Sequence, residues 1–534
     1  MMKKIFLNIS FLLVLGLTFS SCKKSLEDQF NNPELTSKTS LPTLLTAMLN
    51  NDRVRPAYWN QRTYLMPHAA VYAQTASFDN GNLVYQQNNN YTGNYWSDFY
   101  YPAGNGSGPM AIYRTMEKTF NELSAEDKAS QQVFMQAAKI VLYDQASKMV
   151  DAWGDIPFSE AGSLETSNTI KDPKFDDAKT LYATFISGLN DAATFFKTAT
   201  LPANVSASFT KQDILLTGSL DKWRRYANSI RLRLLMRESY VDEATSRTAV
   251  TAMLASPAEY PLIDGSGNAS YSPANTDVLL QPLTTNTNTP MSALTEINSY
   301  SAPDYMLNKV MLPANDPRIP IMFDKFGRTV SGKFVPNPTY KAMPNTLTGE
   351  QQTTERVNYA IIDSTTFLNN SKIPGIVITA PEVNFLKAEA LERWGSTVEA
   401  QTAYNTAVSQ SVSFYYYLYN ISPVAVPTSA PSSAVISTFL AAPNVVYAGT
   451  QTQKLANIWT QKWVHFGLLQ SDQAWSEYRR TNYPQLTVVP QTSPLFTLPP
   501  NRLIYPSIET GYNTNYQAVK AKDTRTNKIF WDVN

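Results

Sequence analysis

Residues 379–413 read TAPEVNFLKAEALERWGSTVEAQTAYNTAVSQSVS, and the reading of this stretch decides the fold. Val383, Leu386, Ala390 and Leu391 recur at helical steps and mark one apolar face. Thr379 and Glu382 bracket the start as a capping box. Pro381 falls in the first turn, where a missing N–H costs nothing. Trp394-Gly395 stops the helix. Ser396 and Glu399 then form a second capping box for a partner helix. Two amphipathic helices joined by a tight glycine turn must pack face to face to bury their stripes.

Such a hairpin is a helix pair of the tetratricopeptide type. Working outward, other segments pair likewise. Leu41–Leu49 opens one helical pattern and Tyr58–Thr75 another. In 131–152, Phe134, Ala138, Val141, Leu142, Ala146, Met149 and Val150 form one stripe that ends at Trp153-Gly154. From 177 to 198, Leu181, Phe185, Leu189, Ala192 and Phe196 do the same, with Asp176 or Asp177 as cap. A helix from Ser219 carries Trp223, Ala227, Ile230, Leu234 and Met236. Its Arg224, Arg225, Arg231, Arg233 and Arg237 are expected on the flanks, paired with carboxylates at the surface. No strict 34-residue repeat is visible, so the fold class expected is mainly α, with diverged helix pairs and a loop-rich irregular lobe.

Two long low-charge stretches lie between the helices: 76–109, with Asn-Gly turns and the run Tyr85–Asn90, and 257–300, rich in Ser, Thr, Asn and Pro; the Pro- and Asn-rich stretch 485–534 reads as an irregular tail. Long loops within a domain are usually functional or flexible. No linker separates independent domains, so 41–534 reads as one.

Of 534 residues, 43% are hydrophobic, enough for a large core, and only 16% are charged. The formal net charge is +1, so nothing suggests nucleic acid, which calls for a basic patch. The 30 Tyr, 24 Phe and 9 Trp offer many flat amphipathic surfaces. The two histidines, His68 and His465, sit in no metal-ligand spacing and read as ordinary packed or surface residues. No EF-hand pattern is present, and neither a metal nor a cofactor is expected.

Lys3 and Lys4 precede the apolar run Ile5–Leu17, and Leu17-Thr18-Phe19-Ser20-Ser21 leads into Cys22, the single cysteine. A basic start, a short apolar core and small residues make an export signal over 1–21. A cysteine directly after it resembles the bacterial lipobox, where that cysteine is acylated; an ordinary secretory signal with a chance cysteine is the alternative. The run is too short to span a bilayer. Residues 22–40 then read as a polar, lipidated tether.

Several phrases together resemble one family, the SusD/RagB outer-membrane nutrient-binding lipoproteins. Besides Cys22, Asp151–Ala161 (DAWGDIPFSEA) is similar to its WGDIPYSEA segment, and Asp221–Leu234 (DKWRRYANSIRLRL) to its KW-initiated helix. Asn315–Arg318 (NDPR), Glu382–Ala390 (EVNFLKAEA), Ala474–Thr481 (AWSEYRRT), Arg502–Pro506 (RLIYP) and Phe530–Asp532 (FWD) complete the set in order. Most read as scaffold: Trp475, Tyr478 and Arg479 fall on one helix face, where Arg479 can hold a carboxylate with its planar fork. The resemblance implies a SusD-like helical scaffold and a SusC-like TonB-dependent transporter as partner. It also implies location at the outer membrane and capture of glycans or, in some members, peptides.

Sugars need ring faces to pack on and partners for their hydroxyls, since unpaired buried polar groups cost about 1–3 kcal/mol. The segment Tyr91–Tyr101 offers both in a loop-like setting, and the resemblance places a stacking loop at about this point. Tyr91, Asn94, Tyr95 and Trp96 are the candidate ligand residues, with Phe78 as an outlier. Trp96 with Tyr100 equally fits an i, i+4 core pair. Phe414–Tyr419 is a second candidate, otherwise core or facing the barrel. An exported glycoside hydrolase would need two opposed carboxylates, which spacing alone does not reveal. No GxSxG elbow or zincin motif appears, and the chain reads as a binder, not an enzyme.

Overall fold

The N–H of Thr43 donates to Ser40 Oγ, and this cap opens α1, Leu41–Leu49, which buries Leu41, Leu45, Met48 and Leu49. The structure is a computed structural model that describes residues 39–55, 58–76, 84–102, 108–266, 270–283, 292–293, 301–491 and 493–533. The signal segment, Cys22, the tether as far as residue 38 and Phe78 lie outside the described residues.

α2, Tyr58–Asn60, continues as a π-helical segment, Gln61–Ala70. α3 is Asn89–Tyr100, α4 Pro109–Asn121 and α5 Ala125–Trp153. α5 starts earlier than its apolar stripe, because Ser124 accepts from the N–H of Asp127 and two acidic residues in the first turn suit the helix dipole. It ends at Gly154, whose φ of 82° favours glycine. α6, Ala178–Thr198, is capped by Asp177, which accepts from Thr180 N at 2.9 Å. Asp176 instead accepts from the amides of Phe158 and Ser159 and fixes the turn after α5. α7 is Ala203–Gln212, α8 Leu220–Glu238 with Ser219 as cap, and α9 Glu243–Ala255.

The decisive hairpin is α10, Ala380–Trp394, and α11, Thr397–Asn420. Thr379 and Ser396 cap as expected, yet the boxes stay half made. Glu382 turns its carboxylate to Arg233, whose Nε and Nη2 donate at 2.5 and 2.9 Å, because a buried guanidinium outcompetes a backbone amide for it. α12, Gln451–Phe466, packs on α10 and on α13, Ser471–Thr481. α6 lies along α8, and α1 along α4 and α5.

The remaining chain folds over these helices as turns, short helices and, among the described residues, four two-stranded antiparallel pieces. β1 (Ile156–Pro157) pairs with β2 (Phe175–Asp176), and β3 (Val278–Leu280) with β8 (Gly375–Ile378). β4 (Phe323–Asp324) pairs with β7 (Ile361–Ile362), and β5 (Gly327–Val330) with β6 (Lys333–Pro336). One apolar cluster extends from Leu41 to Trp531. The fold is mainly α, with tetratricopeptide-like helix pairs and an irregular lobe.

Of the five α8 arginines only Arg225 makes the expected surface pair, with Asp221; Arg224 donates to the carbonyls of Ala258 and Glu259, Arg231 lies over the Tyr260 ring, and two are buried. Arg233 is buried between Glu382 and Asp144. Arg237 is buried between Asp151 at 2.6 Å and Glu477 at 2.9 Å. Arg480, also buried, reaches both Glu389 and Glu477, and Lys462 bonds Glu477. Arg479, expected to hold a carboxylate, donates to Trp475 O, Asn501 O and Ser476 Oγ and stacks over Trp475 at 3.8 Å. Both histidines are packed inside, and burial pushes His68 down to about 4 and His465 to about 3. Among the described residues no helix is long and apolar enough to cross a membrane.

Candidate functional site

Tyr91–Tyr101 is not a loop. Asn88 accepts from the N–H of Tyr91 at 3.2 Å and starts α3, in which Thr92, Tyr95, Trp96 and Phe99 fall on one face and are buried. Composition suggested a loop, but this helical spacing prevails. Trp96, 1% exposed, donates from its indole to Glu509 Oε1 and packs edge-on against Trp153. It also packs on Tyr100, the i, i+4 contact that the sequence allowed. Tyr95, 4% exposed, stacks on Tyr64 with centroids 4.0 Å apart, while Arg53 covers its ring. Both rings serve the core and leave no face open to a ligand.

The outer face of α3 differs. Tyr91 is half-buried, and Asn94, three residues on, is exposed. The Arg62 guanidinium sits 5.8 Å from the Tyr91 ring centre, and Trp59, 39% exposed, precedes it by one helical turn. The stretch that leads into Tyr91 lines a concavity of about 420 Å³ with five consecutive amides, Gln86 to Asn90.

The concavity has a fixed floor. Gln87 donates to Thr92 Oγ1 and Ile504 O and accepts from Ile504 N. The N–H of Asn88 donates to His68 Nε2 at 3.0 Å. His68 Nδ1 lies 2.9 Å from Thr63 O, so the neutral ring donates there and accepts from Asn88, in keeping with its lowered pKa. Gln86, Asn89 and Asn90 keep exposed side chains. Each amide offers two N–H donors and a carbonyl oxygen, the complement of neighbouring hydroxyls. The sequence reading noted this run only as part of a loop; five adjacent amides were the signal it passed over.

Other regions serve different ends. In Phe414–Tyr419, now part of α11, Phe414, Tyr415, Tyr416 and Leu418 are buried, and Tyr416 donates to Pro317 O. Another hollow, about 820 Å³, lies between the α10–α11 pair and residues Asp264, Gly265, Ser266, Ser270 and Tyr271. Its aromatic residue, Tyr271, commits its hydroxyl to Asp277, and Asn384 and Gln410 are tied to each other and to Asp264 O. Burial raises Asp277 to about 8 and Asp363 to about 7, but each accepts from a backbone amide, of Ala380 and of Thr366. Among the described residues no group of three His, Cys, Asp or Glu side chains is placed to hold a metal ion.

Residues 31–506 match a SusD-like family model described as "Starch-binding associating with outer membrane". Solved structures share the fold. A chitin-binding protein superposes with a TM-score of 0.70 at 22% identity, over 93% of this chain and 100% of that one. A SusD homologue from Bacteroides fragilis NCTC 9343 gives 0.68 at 18%, with the same coverage. A SusD-like protein from Bacteroides thetaiotaomicron VPI-5482 gives 0.65 at 19%, over 93% of this chain and 99% of that one. No curated protein is significantly similar in sequence.

Proposed function

Because the chain belongs to the SusD-like family of outer-membrane-associated binding proteins, we propose that it captures an oligosaccharide at the cell surface and hands it to a SusC-like TonB-dependent transporter. Cys22 is the proposed lipidation site that anchors it in the outer membrane. The observation that carries the glycan reading is the concavity lined by the amides Gln86–Asn90, which Tyr91, half-buried, directly follows in the chain. The ring supplies an apolar face for a sugar, and Gln86, Asn89, Asn90 and Asn94 supply uncharged partners for hydroxyls.

Tyr95 and Trp96 act in this reading as the packing that holds α3 in place. The same amides could bind a peptide backbone; the ring face beside them favours sugar.

Calorimetric titration of the mature protein with neutral oligosaccharides and with peptides tests the reading. Oligosaccharide binding without release of products, weakened in Tyr91→Ala, is expected. Peptide binding alone would transfer the site to the alternative, and cleavage of the glycan would overturn the assignment as a binder. Isolation of the lipidated protein in complex with the barrel from solubilised outer membranes tests the partner, and loss of membrane attachment in Cys22→Ala tests the anchor.

A further inference from the structure

A second hollow opens across Arg525 from the amide row. Arg525 donates to Tyr85 O at 3.0 Å, next to Gln86, and to Leu498 O at 2.7 Å, whose residue lines this hollow. The hollow holds about 220 Å³. That is below the roughly 300 Å³ at which drug-sized sites begin, so it suits one ring rather than a chain.

Its lining joins distant parts of the sequence. α13 contributes Trp475, Tyr478 and Arg479, the stretch just after the π-helical segment contributes Tyr72, and the C-terminal stretch contributes Asn501 and Asp532. Tyr72 is 1% exposed, and its hydroxyl has no hydrogen-bond partner. Buried polar groups are nearly always paired, so an orphan that lines a cavity points to something that fills it. Asp532 is 5% exposed, with Lys528 Nζ 3.5 Å from one carboxylate oxygen. Asn501 uses its amide N–H on Thr526 O, and its side-chain oxygen remains an acceptor. Val488, Leu498 and Pro499 add apolar wall.

The charges select against ions. Arg479 directs donors to Trp475 O, Asn501 O and Ser476 Oγ and lies flat on Trp475, so it is not poised to clamp an anion. Lys528 also lines the hollow and is paired with the Asp532 carboxylate, which repels anions, while the Arg479 cation repels cations. What remains is a neutral molecule with hydroxyls on its rim and an apolar face.

We propose that this hollow is a separate binding site for a single neutral sugar ring, with Tyr72 donating to one ring hydroxyl and Asp532 and Asn501 accepting from others. Tyr478 closes one side of the site. The ring is either a free monosaccharide or the terminal unit of a longer glycan.

Saturation-transfer NMR of the mature protein with free hexoses and N-acetylhexosamines tests this, beside soaked crystals of the wild type. Tyr72→Phe deletes only a partnerless oxygen, so it folds, as a thermal melt verifies; Asp532→Asn keeps the shape. Transfer to at least one sugar is expected, about threefold to tenfold weaker in each variant, the factor carried by one hydrogen bond. A parallel loss of oligosaccharide affinity in Tyr72→Phe places a terminal ring in the hollow; an unchanged affinity leaves it to free sugars. No transfer to any sugar, equal transfer in Tyr72→Phe and Asp532→Asn, or density for water alone overturns the proposal. Loss at Tyr91 and loss at Tyr72 report on the two sites separately.

Discussion

Arg233, Arg237, Lys462 and Arg480 lie buried among α8, α10, α12 and α13 with carboxylates on every side, whereas the amide row Gln86–Asn90 has no ionisable side chain at all. The charged interior gathers the phrases by which the chain resembles its family. Asp151 comes from DAWGDIPFSEA, Arg233 from DKWRRYANSIRLRL, Glu382 and Glu389 from EVNFLKAEA, and Glu477 and Arg480 from AWSEYRRT. Trp531 of the closing FWD donates its indole N–H to Asp151 at 3.0 Å. Segments hundreds of residues apart meet in one network. Those phrases therefore describe the scaffold, and the amide row proposed as the oligosaccharide site lies outside every one of them.

The largest expected effect attacks the charged side of this contrast. Arg480→Ala leaves Glu389 and Glu477 without the fork that donates to both. Removing one partner of a buried pair costs about 3–5 kcal/mol, which chemical denaturation reads directly. A loss under about 1 kcal/mol, the range of exposed pairs, would mean that the network behaves like a solvated surface, and the contrast would fail. Gln86→Ala, on the neutral side, is expected to leave the unfolding midpoint unchanged.

Acid separates the two regions next. Arg480 and Lys462 hold Glu389 down at about 2, below its ordinary 4.5, and Glu477 well below that value. A carboxylate depressed on folding contributes stability above its unfolded pKa and loses it as pH falls toward the folded one. The histidines act in the same direction: both are held neutral, at about 4 and about 3 against 6.5, so their contribution also drains on acidification. Asp98, raised to about 7, and Asp277, raised to about 8, oppose this, since the folded state keeps their protons and loses stability as pH rises toward those values. The melting temperature is expected to drop steeply below about pH 4.5 and to decline from about pH 6.5, where the histidines stop compensating, up to about pH 8. Glycan affinity should stay level from mildly acidic to neutral pH, because the amides do not titrate. An affinity that follows the melting curve would place a titrating group in the site.

The helix pairs were legible because their information is local. Stripes at three and four residues, Ser219 and Asp177 as caps, and the stop at Gly154 all lie within a few turns of what they determine. Arg233 was not legible, because its partner Glu382 lies 149 positions away, and neither residue's neighbours announce burial. Glu382 also shows how a local rule yields: its spacing from Thr379 writes a capping box, and a buried cation takes the carboxylate instead. The candidate site divided in the same way. Tyr91 and Asn94 kept open faces, whereas Tyr95 and Trp96 went inward once Asn88 started a helix that the composition had hidden.

Tyr91→Ala tests the neutral side at smaller amplitude. A stacked ring contributes about 0.5–1.5 kcal/mol, so glycan affinity should fall by roughly threefold to tenfold with little change in melting temperature. Trp96→Ala should do the reverse, losing about 3–5 kcal/mol of stability as buried aromatics do. If Trp96→Ala abolished binding in a protein that melted normally, α3 would have to present its inner face to the ligand, and the division drawn along this helix would be wrong.

The smallest effect is the most discriminating, because it compares arginines on one helix. Arg225 pairs with Asp221 at 2.6 Å one turn away, but Asp221 is largely exposed, and water screens the pair. Arg225→Ala should therefore cost no more than about 1 kcal/mol. Three turns along α8, Arg237→Ala strips Asp151 and Glu477 of a buried partner and should cost several times as much. The two residues have the same chemistry and the same helix; only their depth differs. Equal losses would show that α8 is stabilised by charge balance along its length rather than by where each charge is buried.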